Sequence, residues 1–176
     1  MNLFLVVLGG RTKGCNVEQH DVRWVVGESI DDTIPELKRQ WFGIQRGLHI
    51  DSYRRIRNVD GYRVLIKTEI KSPKEQDMKL WFVNLGAYKP GEMAEQHRFG
   101  LVVARSSRAA KARAKSLWLK GQEHVHKDDL HSVDGLPEID DLLPIHGHGG
   151  WHVDLLPEKN TIDGSEAPDW YGYRLI

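Results

Sequence analysis

The tripeptide Glu18-Gln19-His20 recurs as Glu95-Gln96-His97, and each copy stands shortly ahead of an apolar pair, Val25-Val26 and Val102-Val103. Further along each copy come His49-x-Asp51 and His126-x-Asp128. Residues two apart on an extended strand share a face. Glu18 therefore projects with His20, His49 with Asp51, Glu95 with His97, and His126 with Asp128. If the segment entering the second strand of each copy meets the third strand, two imidazoles and two carboxylates come together. Such a set has two chemistries. Imidazole nitrogen and carboxylate oxygen suit zinc, iron or manganese, with His20, His49, His97 and His126 as the nitrogen ligands. Without metal, a carboxylate that orients a histidine forms an acid/base pair, because histidine as a residue type titrates near neutral pH. A structural account stands beside both: a Glu and a His at the start of a strand satisfy backbone donors in the preceding loop, and copies of one fold share such fastenings.

Three other groupings invite chemistry and fit it less well. "HVHKDDLH" and "HGHGGWH" bring His124, His126, His131, His146, His148 and His152 beside Asp128 and Asp129. They have no HExxH or comparable spacing, and their Gly content reads as a solvated loop that picks up nickel or zinc adventitiously. The stretches from Gly9 to Gly14 and from Gly86 to Gly91 follow strands, where a phosphate loop would sit with Arg11, Lys13 and Lys89 as its cations. Neither matches GxxxxGK[ST] or GxGxxG, and another strand follows where those motifs need a helix, so both read as hairpin-type connections. Arg105, Arg108, Lys111, Arg113 and Lys115 crowd the second helix, whereas the matched first helix carries Asp31, Asp32 and Glu36. A nucleic-acid stripe is one reading and a solvated face on an Ala-rich helix is the favoured one. The opposite charges of the two helices also suit pairing of units or of protomers in a homodimer.

The chain of 176 residues has 25 Lys plus Arg against 25 Asp plus Glu, so no global field draws it to nucleic acid or anionic membrane. Cys15 is the single cysteine, which excludes an intramolecular disulfide or a thiolate zinc cluster and suits a reducing compartment. "NLFLVVLGG" is too short and lacks the basic flank of a secretory signal, and no run long enough to span a bilayer follows. The equivalent "KLWFVNLGA" lies deep in the chain, so both read as core strands of a cytoplasmic protein.

The elements that position these residues come in two copies. Leu3-Phe4-x-Val6-x-Leu8-Gly9 matches Leu80-Trp81-x-Val83-x-Leu85-Gly86, and without a gap Gly14 falls on Gly91, Ser29 on Ser106, Trp41 on Trp118, His49 on His126 and Asp51 on Asp128. After Asp128 the register breaks. Matching Gly61-Tyr62-Arg63-Val64 to Gly150-Trp151-His152-Val153 preserves strand alternation and leaves an insertion near 131–149 in the second copy. Each copy then reads ββαββ. A helix starts near Ser29, with Ile30, Ile34, Leu37 and Trp41 at helical spacing and Ser29-x-x-Asp32 or Thr33-x-x-Glu36 closing its N-terminus. Trp41 and Trp118 fall on apolar stripes and belong to the core. The expected organisation is α+β: a first repeat over 1–70, a polar linker at Glu69 to Asp77, a second repeat over 78–158, and a tail over 159–176 whose "GYRLI" echoes "GYRVLI" and forms a strand. A ubiquitin-like roll, two copies related by pseudo-twofold symmetry, fits this order, with ferredoxin-like and double-stranded-RNA-binding-like arrangements as alternatives. In the roll the second and third strands are not neighbours, which would pull the His/carboxylate pairs apart.

The "LGG…VEQHDV" opening, "ELKRQWF…LHIDSY" and "VDGYRV", repeated with "LGAYKPG…EQH" and "HKDDL", resemble the bacterial family named domain of unknown function 1543, in two tandem copies ending near Lys159. That resemblance implies a fold and no catalytic assignment. From the residues, the expectation is a non-enzymatic protein that binds a small ligand or a protein through Glu18, Gln19, His20, His49, Asp51, Glu95, Gln96, His97, His126 and Asp128, with no cofactor required. The alternatives are a hydrolase using the same residues, with or without a divalent metal, and nucleic-acid binding through the second helix.

Overall fold

In the computed structural model the described residues are 1–68, 77–87, 93–94, 96–118, 142–147, 150–158 and 166–176. They form a mostly-β α+β protein with three antiparallel sheets and two α-helices. Two compact units divide the chain, one comprising Met1–Ile66 with Leu156–Ile176 and the other Lys67–Leu155.

In the first unit the continuous apolar run makes β1 (Asn2–Gly10), buried on both faces. That is the environment such a run demands. β1 pairs antiparallel with β2 (Gln19–Gly27) on one side and with β3 (His49–Ile56) on the other. The strand runs through Gly9 and Gly10 rather than closing before them, so these glycines are sheet positions and not part of a hairpin connection. Between β2 and β3 the chain makes a 3-10 turn (Asp31–Thr33) and α1 (Ile34–Gln40). Pro35 sits in the first turn of α1, where its missing N–H costs no helical bond. Phe4, Val6, Leu8, Val25 and Ile50 from one sheet face bury Ile30, Leu37 and Trp41. After β3, β4 (Asn58–Val59) and β5 (Tyr62–Lys67) pair through the two-residue Asp60-Gly61 turn.

The C-terminal residues return to this unit as β10 (Trp170–Leu175), the strand expected from the tail. The four-stranded sheet has the order β10-β3-β1-β2. Trp170 and Ile176 pack on the core cluster. Arg174 forms an ion pair with Asp31, Asp169 accepts from the Arg55 backbone N–H at 2.5 Å, and Ile176 N–H donates to Leu48 O at 3.0 Å.

In the second unit β6 (Lys79–Ala87) and β7 (Gln96–Ala104) pair in the register of β1 and β2: Gly86 faces His97 as Gly9 faces His20. α2 (Ser107–Trp118) buries Ala110, Ala114 and Trp118 at successive four-residue steps, so the alanine content reflects close helix-on-sheet packing. Arg108 and Arg113 are exposed, and Lys111 and Lys115 are half-buried beside the alanine stripe. β8 (Leu142–Ile145) pairs with β6, giving the order β7-β6-β8. This strand falls inside the segment 131–149 expected to be a looped insertion. Leu80 faces Ile145 as Leu3 faces Ile56, so β8 takes the place that β3 holds beside β1. The strand tolerates Pro144 because it lies at a sheet edge. β9 spans His152–Pro157, and the unit boundary falls within it. Most of the expected linker, 69–76, lies outside the described residues. Among the described residues no helix is long and apolar enough to cross a membrane.

Candidate functional site

The second and third strands are separated, yet their paired side chains meet. β1 lies between β2 and β3, and at the level of the two histidines its residue is Gly9, which faces His20 on one side and His49 on the other. Leu8 belongs to the helix-facing core, so Gly9 and its two neighbours open on the opposite sheet face. A Cβ on Gly9 would fall against His49 Nε2 and lie 2.9 Å from Asp51 Oδ2. The missing side chain is the room in which the pairs converge.

Four polar side chains fill that room. Glu18 Oε1 lies 3.5 Å from His20 Nε2 and 3.4 Å from His49 Nε2. Asp51 reaches the same two nitrogens, Oδ2 at 3.2 Å from His20 and Oδ1 at 3.1 Å from His49. His49 is 1% exposed, whereas His20 and Glu18 are 54% and 40% exposed, so a buried imidazole is reached through an open carboxylate and an open imidazole.

Backbone irregularities aim these groups. Val7 faces Ser52 and Leu8 faces Ile50, so Asp51 is an extra residue on β3, a bulge at the level of the cluster. On the other side of β3, Tyr171 faces Ser52 and Arg174 faces Ile50, so Gly172 and Tyr173 bulge at the same level. Bulges redirect side chains and gather beside functional sites. Here one presents Asp51 and the other places the Tyr173 ring on His49, with centroids 4.1 Å apart. His49 Nδ1–H donates to Gly47 O at 2.9 Å. Because a carbonyl only accepts, Nδ1 carries a proton, and Nε2 is the nitrogen turned to the two carboxylates. Any N–H at either Nε2 therefore points at carboxylate oxygens.

Among the described residues no group of three or more His, Cys, Asp or Glu side chains is arranged to hold a metal ion as the side chains stand. In this cluster the Nε2 of each imidazole is turned onto carboxylate oxygens.

Glu18, His20, His49 and Asp51 thus come together, although the spacing predicted only that each pair shares a face. Gln19 begins β2 at the cluster's edge, and its amide donates to Val17 O at 3.2 Å. In the second copy, His97 is exposed at the matching register and Asn84 Nδ2–H donates to its Nδ1 at 3.2 Å. Arg98, where the first copy has Asp21, lies over Trp118 at 5.9 Å. Glu95, His126, Asp128 and the Gln96 side chain lie outside the described residues, as do His124, Asp129, His131, His148 and Lys89. His146 is exposed; desolvation and the neighbouring Lys79 charge hold its pKa below the ordinary histidine range. Gly9, the Gly47 carbonyl and Tyr173 were missed as site elements. A strand glycine is itself a signal of close approach, and Gly172 between two tyrosines signals a bulge.

Fold and site together define a duplicated α+β domain carrying a two-histidine, two-carboxylate cluster in its first copy. The chain belongs to the family described as Domain of Unknown Function (DUF1543), which matches it twice, at residues 15–66 and 92–143. It is also similar to the crystal structure of a protein Il1583 from Idiomarina loihiensis, with 33% identity over 98% of this chain and 95% of that one and a TM-score of 0.72. No curated protein matches the chain.

Proposed function

We propose that this protein binds a small ligand at the Glu18–His20–His49–Asp51 cluster, and that the ligand contributes hydrogen-bond donors. The observation that carries the reading is the excess of acceptors. Two carboxylates converge, each with two acceptor oxygens, and the two Nε2 atoms that face them supply at most one N–H apiece. Carboxylate lone pairs that outnumber the donors facing them gain from a partner that brings N–H or O–H groups. The cluster belongs to a rigid sheet, and the exposed His20 and Glu18 give a ligand access. Recurrence of the Gly-to-His register in the second unit supports the view that both copies derive from one roll-like binding domain.

Acid/base catalysis on the bound ligand is a second reading. It is favoured by the Gly47 carbonyl, which fixes the His49 ring with Nε2 turned into the cluster, the orientation a general base needs.

Native mass spectrometry of untagged protein purified without metal-affinity resin tests the proposal, using the wild type and a Glu18→Gln/His20→Ala variant. The expected result is a small-molecule adduct on the wild type that the variant lacks. A stoichiometric divalent ion lost in the variant would replace this reading with a metal site.

A further inference from the structure

The C-terminal strand presents an exposed aromatic ring beside the cluster. Three features of β10 define it. Tyr173 is 67% exposed, while Trp170 and Ile176 of the same segment pack on the core cluster. The ring of Tyr173 therefore stands outside the core, tilted at 33° against the buried ring of His49. Its position is built into the backbone: Gly172 has φ +149°, a conformation that side chains disfavour, and this bulge lets Tyr173 reach His49 while Arg174 returns to the ladder opposite Ile50. Finally, the strand is clamped at both ends, by Asp169 with Arg57 and the Arg55 N–H, and by Arg174 with Asp31. A clamped edge strand holds an exposed aromatic ring at low entropic cost to any ligand that uses it.

Resting on the donor-ligand reading above, we infer that the site takes an organic cation, an amine or guanidine with a flat or apolar body. The charge is held by Glu18 and Asp51, and the body lies against Tyr173. Glu18 and Asp51 are carboxylates that suit a charged N–H donor, and the aromatic face of Tyr173 suits the flat or apolar body that the donor carries. One side chain, His49, links the two surfaces, touching the carboxylates at 3.1 and 3.4 Å and the Tyr173 ring at 4.1 Å between centroids. Tyr173 lies outside both segments matched to the family.

The test is an NMR titration of the histidine Cε1–H resonances with benzylammonium, methylammonium and benzoate, on the wild type and on Tyr173→Leu, Tyr173→Phe and Glu18→Gln. Benzylammonium is expected to bind the wild type about fivefold more tightly than methylammonium, the size of one aromatic pair between its ring and Tyr173. Tyr173→Phe should keep that preference, Tyr173→Leu should abolish it without changing methylammonium binding, and Glu18→Gln should weaken both ammonium ions. Equal affinity for the two in the wild type, or a preference that survives Tyr173→Leu, would overturn the role of Tyr173 and leave the donor-ligand reading standing. Benzoate binding as well as benzylammonium, or no shift with any probe, would overturn both.

Discussion

Gly9 does more at this site than any of the polar residues, because it lets two non-adjacent strands share one cluster. A methyl group there collides with His49 and crowds Asp51. Gly9→Ala is therefore expected to lower stability by about 1–3 kcal/mol, the usual cost of overpacking, in urea denaturation, and to shift the His20 and His49 ring resonances together. A second residue-scale expectation concerns Cys15. The Thr12 backbone N–H donates to its sulfur at 3.3 Å and, with Arg11 nearby, holds the thiol below the ordinary cysteine range. A lowered pKa keeps more thiolate at any given pH, so alkylation by iodoacetamide should reach half its plateau rate at a lower pH than for an unstructured cysteine peptide. Unfolding in urea should erase the difference. At this scale the sequence announced the polar residues through their repetition. For Gly9 it offered only the general signal of a strand glycine, which looks alike whether it ends the strand or makes room for two neighbours.

At the scale of elements, the start of the first helix was half legible. Ser29-x-x-Asp32 does form a reciprocal box: Ser29 N–H and Oγ–H each donate to Asp32 Oδ2 at 2.8 Å. The box opens onto a 3-10 turn, and the α-helix begins at Ile34, the later start that Pro35 favours. Those Ser29 donors hold the Asp32 carboxyl below the ordinary range. A depressed folded-state pKa contributes stability above the unfolded value and loses it as pH falls through the folded value. Asp32→Asn should therefore lower the urea midpoint at neutral pH, and the gap from the wild type should close in acid. The third strand of the second copy went the other way. Its apolar residues Leu142, Leu143 and Ile145 lie in a segment dominated by Gly, His, Asp and Pro, and composition outweighed a four-residue strand whose partner is distant in sequence.

On the scale of the whole molecule, the final residues complete the first unit and its site at once. Asp169 N–H donates to Tyr53 O and Ile176 N–H to Leu48 O, each at 2.9–3.0 Å, so β10 covers the outer edge of β3. Removing residues 166–176 should therefore raise hydrogen exchange in peptides covering β3 and lower the unfolding midpoint, as both a ladder and the packing of Trp170 and Ile176 are lost. By itself the sequence determined the duplication, the family, the mostly-β α+β class, the burial of Trp41 and Trp118, and the residue types at the cluster, because periodicity and repetition are properties of the chain read locally. Only the tertiary structure decided that β1 would stand between the two histidine strands with a glycine at their level. It also decided that two bulges would coincide there and that the last strand would bring Tyr173 to His49. Each depends on pairing between residues far apart in the chain, and strand order and register follow from how whole faces pack rather than from any short stretch of residues.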